Sequence, residues 1–267
     1  LNSQVIPAAN LSITQNSDLI KRPLVSYMAR LNYGFDDKYL LTVSIRSDGA
    51  SQLYDDGSKF SLFPSAALAW RINREDFMQN VGWVNDLKLR IGGGVTGNSA
   101  IDAYATKGRT VPLFYPFGGS VTAASLPSSA LANPALDWEK TTQYNLGIDF
   151  SIFKRRISGS LDVYTSKTKD LLMARNLPTV TGFLTTIENI GQTSNRGVDI
   201  NISTVNITTS NFQWSTNLNA SWQKEKIVSL SNGKQDDINN SWFIGQPIGV
   251  IYGFASNGMW QYADTTM

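Results

Sequence analysis

The sequence contains neither cysteine nor histidine among its 267 residues. Without thiolates and imidazoles, disulfide bonds, the usual zinc, copper and haem sites, and histidine-based acid–base catalysis are excluded. An excess of one charge is also lacking, because 23 basic and 21 acidic residues leave a formal net charge of +2. No segment reaches the roughly 18 to 20 consecutive apolar residues of a transmembrane helix. We therefore expect no cofactor, no metal site and no nucleic-acid partner.

What the sequence does contain is alternation with a period of two. From Leu24 to Trp222, successive runs place apolar side chains at every second position and polar ones between them. In the first run the apolar positions are Val25, Tyr27, Ala29, Leu31, Tyr33 and Phe35. One face of such a strand suits hydrocarbon and the other suits water, which is typical of an outer-membrane β-barrel.

Counting these runs predicts eight strands, and a ninth from Ile248 to Phe254. The eight are expected at 25–35, 39–48, 62–72, 87–96, 142–152, 157–163, 198–203 and 212–222. A strand of about eleven residues, tilted by about 40°, spans roughly 28 Å, close to the apolar band of a membrane barrel. The pattern therefore predicts a transmembrane antiparallel barrel.

The connections between these strands fall into two alternating sets. Short turns are expected at 36–38, 153–156 and 206–211, with a longer one at 73–85 that holds a helical turn from Glu75 to Met78. Long loops are expected at 49–59, 98–139, 167–194 and 224–247. Trimmed turns face the periplasm and long loops face the exterior in outer-membrane barrels. A soluble β-sandwich is the alternative, but it has no need of this asymmetry.

The polar positions of the alternating runs, which would face the barrel interior, carry many charges. These inward positions are Arg30, Arg46, Lys88, Arg90, Asp149, Asp162 and Asp199. A closed eight-stranded barrel has an interior filled by packed side chains, and each unpaired buried ion would cost several kcal/mol. The sequence therefore favours eight or nine strands of a larger barrel with a wet or plugged lumen.

Several segments resemble the SusC-like TonB-dependent outer-membrane transporters of Bacteroidetes, the SusC/RagA family. The matching segments are RLNYGFDDKYLLTVSIRSDGAS (30–51), FPSAALAWRINREDF (63–77), LKLRIGGGVTGN (87–98), NPALDWEKTTQYNLGIDFSIFKRRISGSLDVYTSKTKDLL (133–172) and ENIGQTSNRGVDINI (188–202). The resemblance implies a barrel of about 22 strands with a plug domain, a SusD-like lipoprotein over its mouth, and energy from the TonB complex through the plug. We expect residues 1–267 to be one C-terminal segment of this barrel, without the plug or the last strands.

The same resemblance implies a non-enzymatic importer in the outer membrane, surrounded by its lipid, that takes up glycans or oligosaccharides. Peptide cargo is the main variant within the family. Two alternatives come from other classes, namely a non-transport barrel such as an adhesin or secretion scaffold, and a soluble carbohydrate-binding module. An upstream plug would exclude the first, and solubility without detergent would favour the second.

Three local patterns suggest chemistry. Gly92–Gly97 satisfies G-x-G-x-x-G, but no helical pattern follows it, so strand glycines near the rim are expected instead of a nucleotide site. Acidic pairs such as Asp55-Asp56 and Glu75-Asp76 fall in turns and are expected to be solvated. The long loop at 98–139 holds four aromatic residues that could contact cargo or the lipoprotein lid, or could pack against neighbouring loops. They are Tyr104, Phe114, Tyr115 and Phe117.

Overall fold

The computed structural model describes residues 19–53, 59–117, 120–231, 233–255 and 258. Thirteen strands follow one another along this part of the chain. They are β1 (Leu24–Phe35), β2 (Tyr39–Ala50), β3 (Phe60–Arg71), β4 (Val84–Asn98), β5 (Thr110–Phe117), β6 (Ser120–Pro127), β7 (Ala130–Leu131), β8 (Glu139–Ile152), β9 (Ile157–Lys169), β10 (Leu172–Asn176), β11 (Thr185–Asn189), β12 (Gln192–Thr208) and β13 (Gln213–Ser229).

Eight of these strands form the main sheet, in the order β1-β2-β3-β4-β8-β9-β12-β13, and every neighbouring pair is antiparallel. The all-β fold and the eight predicted strands are confirmed. Several strands run further than predicted, above all β12 and β13, which have 17 residues each. The outer extensions, at 192–197 and 223–226, hold polar and charged residues and a glycine, so apolar periodicity could not detect them.

The predicted ninth strand, from Ile248 to Phe254, is wrong. Residues 248–255 form no strand, and the side chains of Ile251 and Phe254 are fully exposed. Gly249 and Gly253 interrupt this stretch, and glycine weakens a strand because it has no side chain to pack. Apolar composition alone was therefore a misleading signal here.

Two of the predicted long loops contain strands of their own. Within the region 98–139, β5 and β6 form a two-stranded hairpin. A three-stranded sheet in the order β10-β11-β7 then joins this region to the region predicted as a loop at 167–194. Short strands that pair outside the membrane carry no long apolar alternation, so the sequence pattern did not reveal them.

The turns at 36–38, 153–156 and 209–212 lie at one end of the main sheet, which we call the inner end. The last of them was predicted at 206–211, but β12 continues to Thr208. The predicted helical turn is confirmed there as two 3-10 turns, Ile72–Arg74 and Asp76–Met78. Within the described residues, no helix is long and apolar enough to cross a membrane. The expectation that Glu75 is solvated is wrong, because its side chain is only 15% exposed. Glu75 links the two turns to the strands, since its Oε1 accepts hydrogen bonds from Tyr39 Oη (2.7 Å) and Trp70 Nε1 (2.9 Å). The other acidic pair, Asp55-Asp56, lies outside the described residues.

The opposite, outer end carries the long connections and most of the apolar core. One cluster of buried side chains gathers residues from the ends of β2, β3, β4 and β8 and from the chain beside them. This outer cluster consists of Ala50, Leu53, Phe63, Ile101, Leu136 and Trp138. Because Ile101 and Leu136 lie near the two ends of the predicted loop 98–139, the cluster attaches that loop to the sheet.

Candidate functional site

The polar parity of the main sheet brings its charges together as the sequence predicted. Arg90 donates to Asp149 through Nε (2.9 Å) and Nη2 (2.7 Å), and through Nη2 to Asp162 Oδ1 (3.0 Å). Lys88 Nζ lies 2.8 Å from Asp149 Oδ2. Two bases and two acids thus neutralise one another across β4, β8 and β9. This face can line an aqueous lumen without presenting a free charge at this position.

Gly147 makes this arrangement possible. It stands directly opposite Arg90 in the β4–β8 register and opposite Asp162 in the β8–β9 register. A Cβ at residue 147 would collide with the Asp162 carboxylate and the Arg90 guanidinium. The missing side chain lets Arg90 lie across β8 and reach the acid on the second strand.

The same face is hydrogen-bonded further along the sheet, on β12 and β13. Asn201 Nδ2 donates to Asn219 Oδ1 (2.7 Å), and Ser221 Oγ donates to Asp199 Oδ1 (2.6 Å). Amides and hydroxyls both donate and accept hydrogen bonds, so they can bind water or polar solutes without selecting a charge. The lumen-facing surface therefore carries paired charges across β4, β8 and β9, and on β12 and β13 it combines hydrogen-bonded amides and hydroxyls with the carboxylates of Asp199 and Glu225.

A shallow cavity of about 470 Å³ lies on this face, mainly across β1–β4. Small residues form its floor, including Ser65, Ala67, Gly92 and Gly94. Arg30 and Arg46 line it as well, and Arg46 is paired with the buried Asp48 at 2.7 Å. The glycines at 92–97 were predicted to be strand residues, and they lie in β4. Because they have no side chains, another polar surface can approach the sheet closely here.

The four predicted cargo or lid residues lie on two elements of the outer end. Tyr104 lies in the turn after β4, with a positive φ of 65° and about half of its surface exposed. Phe114, Tyr115 and Phe117 occupy positions in β5, opposite Ala123, Thr122 and Ser120 of β6 respectively. Only the backbone positions of these three residues are described. Contact of the four with cargo or a lid stays a prediction.

A second cavity, of about 410 Å³, lies at the outer end and was not predicted. It is lined by polar side chains from β10 and from residues 231–240, including Arg175, Asn176, Asp236 and Asn240. Glu188 of β11 holds Arg175 through two hydrogen bonds, the longer of 2.9 Å. The residues that line this cavity come from two separate connections. From the sequence, only the polar run Asp236-Asp237-Ile238-Asn239-Asn240 could have suggested the cavity.

A comparison with protein families decides which barrel this sheet belongs to. Residues 3–266 match the family described as TonB dependent receptor-like, beta-barrel. The chain belongs to this family. As a TonB-dependent receptor barrel, it lies in the bacterial outer membrane, with its apolar parity toward lipid. The soluble β-sandwich is thereby excluded.

Curated relatives and solved structures support the same assignment. The chain is 37% identical to TonB-dependent receptor SusC of Bacteroides thetaiotaomicron over 233 residues, covering 84% of this chain and 22% of that protein. It is 35% identical to TonB-dependent receptor P26 of Formosa agariphila over 254 residues, covering 92% and 26%. The structure of the RagAB peptide transporter superposes with a TM-score of 0.75 at 28% identity, covering 85% and 25%. The predicted resemblance to SusC-like receptors is confirmed, and the chain spans about a quarter of these relatives.

Proposed function

We propose that the whole receptor imports a nutrient across the outer membrane with energy from the TonB complex. In this proposal the present chain supplies part of the barrel wall and some of its external loops. The observation that carries it is the separation of the two faces, with apolar side chains toward lipid and a polar surface with paired charges around Arg90 toward the lumen. A solute or a plug can occupy such a lumen while the charges of Lys88, Arg90, Asp149 and Asp162 stay paired.

The cargo we propose is an oligosaccharide, delivered beneath a SusD-like lipoprotein that covers the outer end. The resemblance to SusC-like transporters, whose commonest cargo is glycan, supports this choice, as does the 37% identity to SusC. Peptide is the second candidate, because the solved relative with a TM-score of 0.75 is described as a peptide transporter. Polar cavities with amide, carboxylate and guanidinium linings are compatible with both.

Growth of the source bacterium on defined nutrients tests the proposal. Removal of the β5–β6 hairpin (residues 110–127) from the full receptor should abolish growth on the imported glycan, because this hairpin extends the outer end where cargo arrives. Substitution of the inner turn 209–212 by residues of similar polarity should leave growth intact. The contrary result would be a strain that lacks the whole receptor but grows normally on every glycan and poorly on peptides. That result would show that peptide, and not oligosaccharide, is the cargo.

Orientation can be tested separately by cysteine labelling in a receptor without other cysteines. Val180, which is 91% exposed between β10 and β11, should react as cysteine with a membrane-impermeant maleimide on intact cells lacking the lipoprotein. The exposed Lys154 in the inner turn 153–156 should react as cysteine only after the outer membrane is permeabilised. The reverse pattern would show that the inner end faces the exterior.

A further inference from the structure

Six basic residues lie on the lipid-facing parity where β8, β9, β12 and β13 reach the outer end. We call them the outer basic band, and they are Lys140, Lys167, Lys169, Arg196, Lys224 and Lys226. Five of them are exposed, and the side chain of Lys140 is 37% exposed. Nothing in the import of a cargo through the lumen requires cations on this outward surface.

Strand register places the six on adjacent rungs of the sheet. One rung holds Arg196 beside Lys224, and the next holds Lys167, Ser194 and Lys226. The outermost rung pairs Lys140 with Lys169. Rungs on one face lie about 6.6 Å apart and strands about 4.8 Å apart, so the band covers a compact area roughly 15 Å across.

Acidic residues on these strand ends lie on the opposite parity. Glu139 and Glu225 alternate with Lys140 and Lys226 and therefore point toward the lumen side. Within the described residues, the one ion pair of the band joins Lys140 Nζ to Asp137 Oδ2 at 3.3 Å. The band is thus a surface of nearly uncompensated positive charge.

The height of the band matches the outer boundary of the bilayer. From Ile152 at the inner end to Thr142, ten residues of tilted strand rise about 25 Å, which is the height of the apolar band in such barrels. The rung of Leu146, Val163, Val198 and Trp222 lies just below and is apolar. Tyr144, which is largely exposed and one rung further out, marks the interface, where aromatic girdles lie.

We propose that the outer basic band binds phosphate groups of lipids in the outer leaflet. The surface points away from the lumen, so an anionic cargo would not meet it, and a second copy of the same surface would be repelled by like charge. Clusters of Lys and Arg at a membrane boundary attract anionic headgroups. At the corresponding height the same parity of β1–β3 carries Val25, Ser47, Gly49 and Leu62, without cations. The receptor would therefore hold phosphorylated lipid on one side of its wall.

The proposal rests on the orientation given above, but its test does not depend on transport. The full receptor, purified in neutral detergent, is incubated with diphosphoryl lipid A or with chemically dephosphorylated lipid A, and the retained lipid is quantified by mass spectrometry. We expect saturable retention of the phosphorylated form. The triple variant K167Q/R196Q/K224Q should weaken it about tenfold or more, since each cation near a charged membrane surface contributes to attraction.

The matched control is K154Q/R155Q/R156Q, which removes three exposed cations from the inner turn. It should retain lipid like the unmodified receptor, and both variants should keep the heat-modifiable gel mobility of a folded barrel. Equal retention by the two triple variants, or equal retention of phosphorylated and dephosphorylated lipid, would overturn the proposal. Loss of glycan uptake in the first variant with unchanged lipid retention would also overturn it and would assign the band to cargo.

Discussion

At the inner end of the main sheet, short turns are braced by hydrogen bonds and ion pairs around Glu75, whereas the outer end is held by buried apolar side chains. Glu75 accepts hydrogen bonds from Tyr39 and Trp70, whose rings stack with centroids 6.4 Å apart. At the outer end, Phe63 and Trp138 meet edge to face at 5.3 Å inside the outer cluster. The two ends of one sheet thus use different physical forces.

The difference follows from what each end must do. The inner turns are too short to build an apolar core. The Tyr and Trp side chains at this membrane boundary each have a polar O–H or N–H group that needs a hydrogen-bond partner. A carboxylate such as Glu75 satisfies both the phenol and the indole. The outer end instead has to fix a connection of about forty residues, and burial of apolar surface is the force that can order so long a segment.

Trp138→Ala should produce the largest change. Its indole is buried, packs on Phe63 and donates through Nε1 to the carbonyl oxygen of Lys59 at 3.2 Å. Truncation of a buried Trp costs about 3–5 kcal/mol. We expect a lower denaturant midpoint for the full receptor in detergent and new protease cleavage within 98–139. Trp83→Ala at the inner end, where the ring is half exposed on Phe153, is the control and should leave this loop protected.

The part of the fold that lies within the membrane could be predicted from the sequence, and the outer end could not. Alternation identified β1, β8 and the parity of Arg90 because the bilayer imposes one apolar face on every strand. Outside the bilayer that constraint ends, so β5, β6 and the three-stranded sheet left no such pattern. The outer cavity with Arg175 depends on contacts between distant connections, which periodicity does not report.

Leu146→Arg should have the next largest effect, and it tests whether the middle of the sheet lies in hydrocarbon between the two ends. Leu146 is exposed on the apolar parity, next to Ile91 and Val163. An Arg on the lipid face costs about 2–4 kcal/mol near the midplane. Asn145→Arg, one residue away on the lumen parity, is the control. Heat-modifiable mobility should show poor assembly for the first variant, and equal assembly of both would refute the assignment of faces.

Glu75→Gln should have a smaller effect that depends on pH. Hydrogen bonds from the Tyr39 hydroxyl and then the Trp70 indole, together with Lys38, hold the pKa of Glu75 below its ordinary value of 4.5. A lowered pKa in the folded state contributes stability above about pH 4.5, and this contribution is lost as the pH falls through the folded pKa.

Denaturant midpoints measured from pH 7 to pH 3 would show this difference. The unmodified receptor should lose stability below pH 4.5 more steeply than the variant, so the gap between them should narrow toward pH 3. A gap that stays constant over this range would mean that the charge of Glu75 does not brace the inner end.

Arg71→Gln should have the smallest effect and shows where the polar bracing ends. Arg71 Nη1 lies 2.8 Å from Asp37 Oδ1, but Asp37 is more than half exposed and also lies 3.3 Å from Arg74. Water screens such a pair, and exposed ion pairs contribute about 0–1 kcal/mol. Denaturant midpoints at 0.05 and 0.5 M salt should differ little between this variant and the unmodified receptor. A loss of stability comparable to that of Trp138→Ala would mean that Asp37 and Glu75 belong to one cooperative polar network at the inner end. The two ends would then differ in the chemistry of their contacts but not in how much those contacts stabilise the fold.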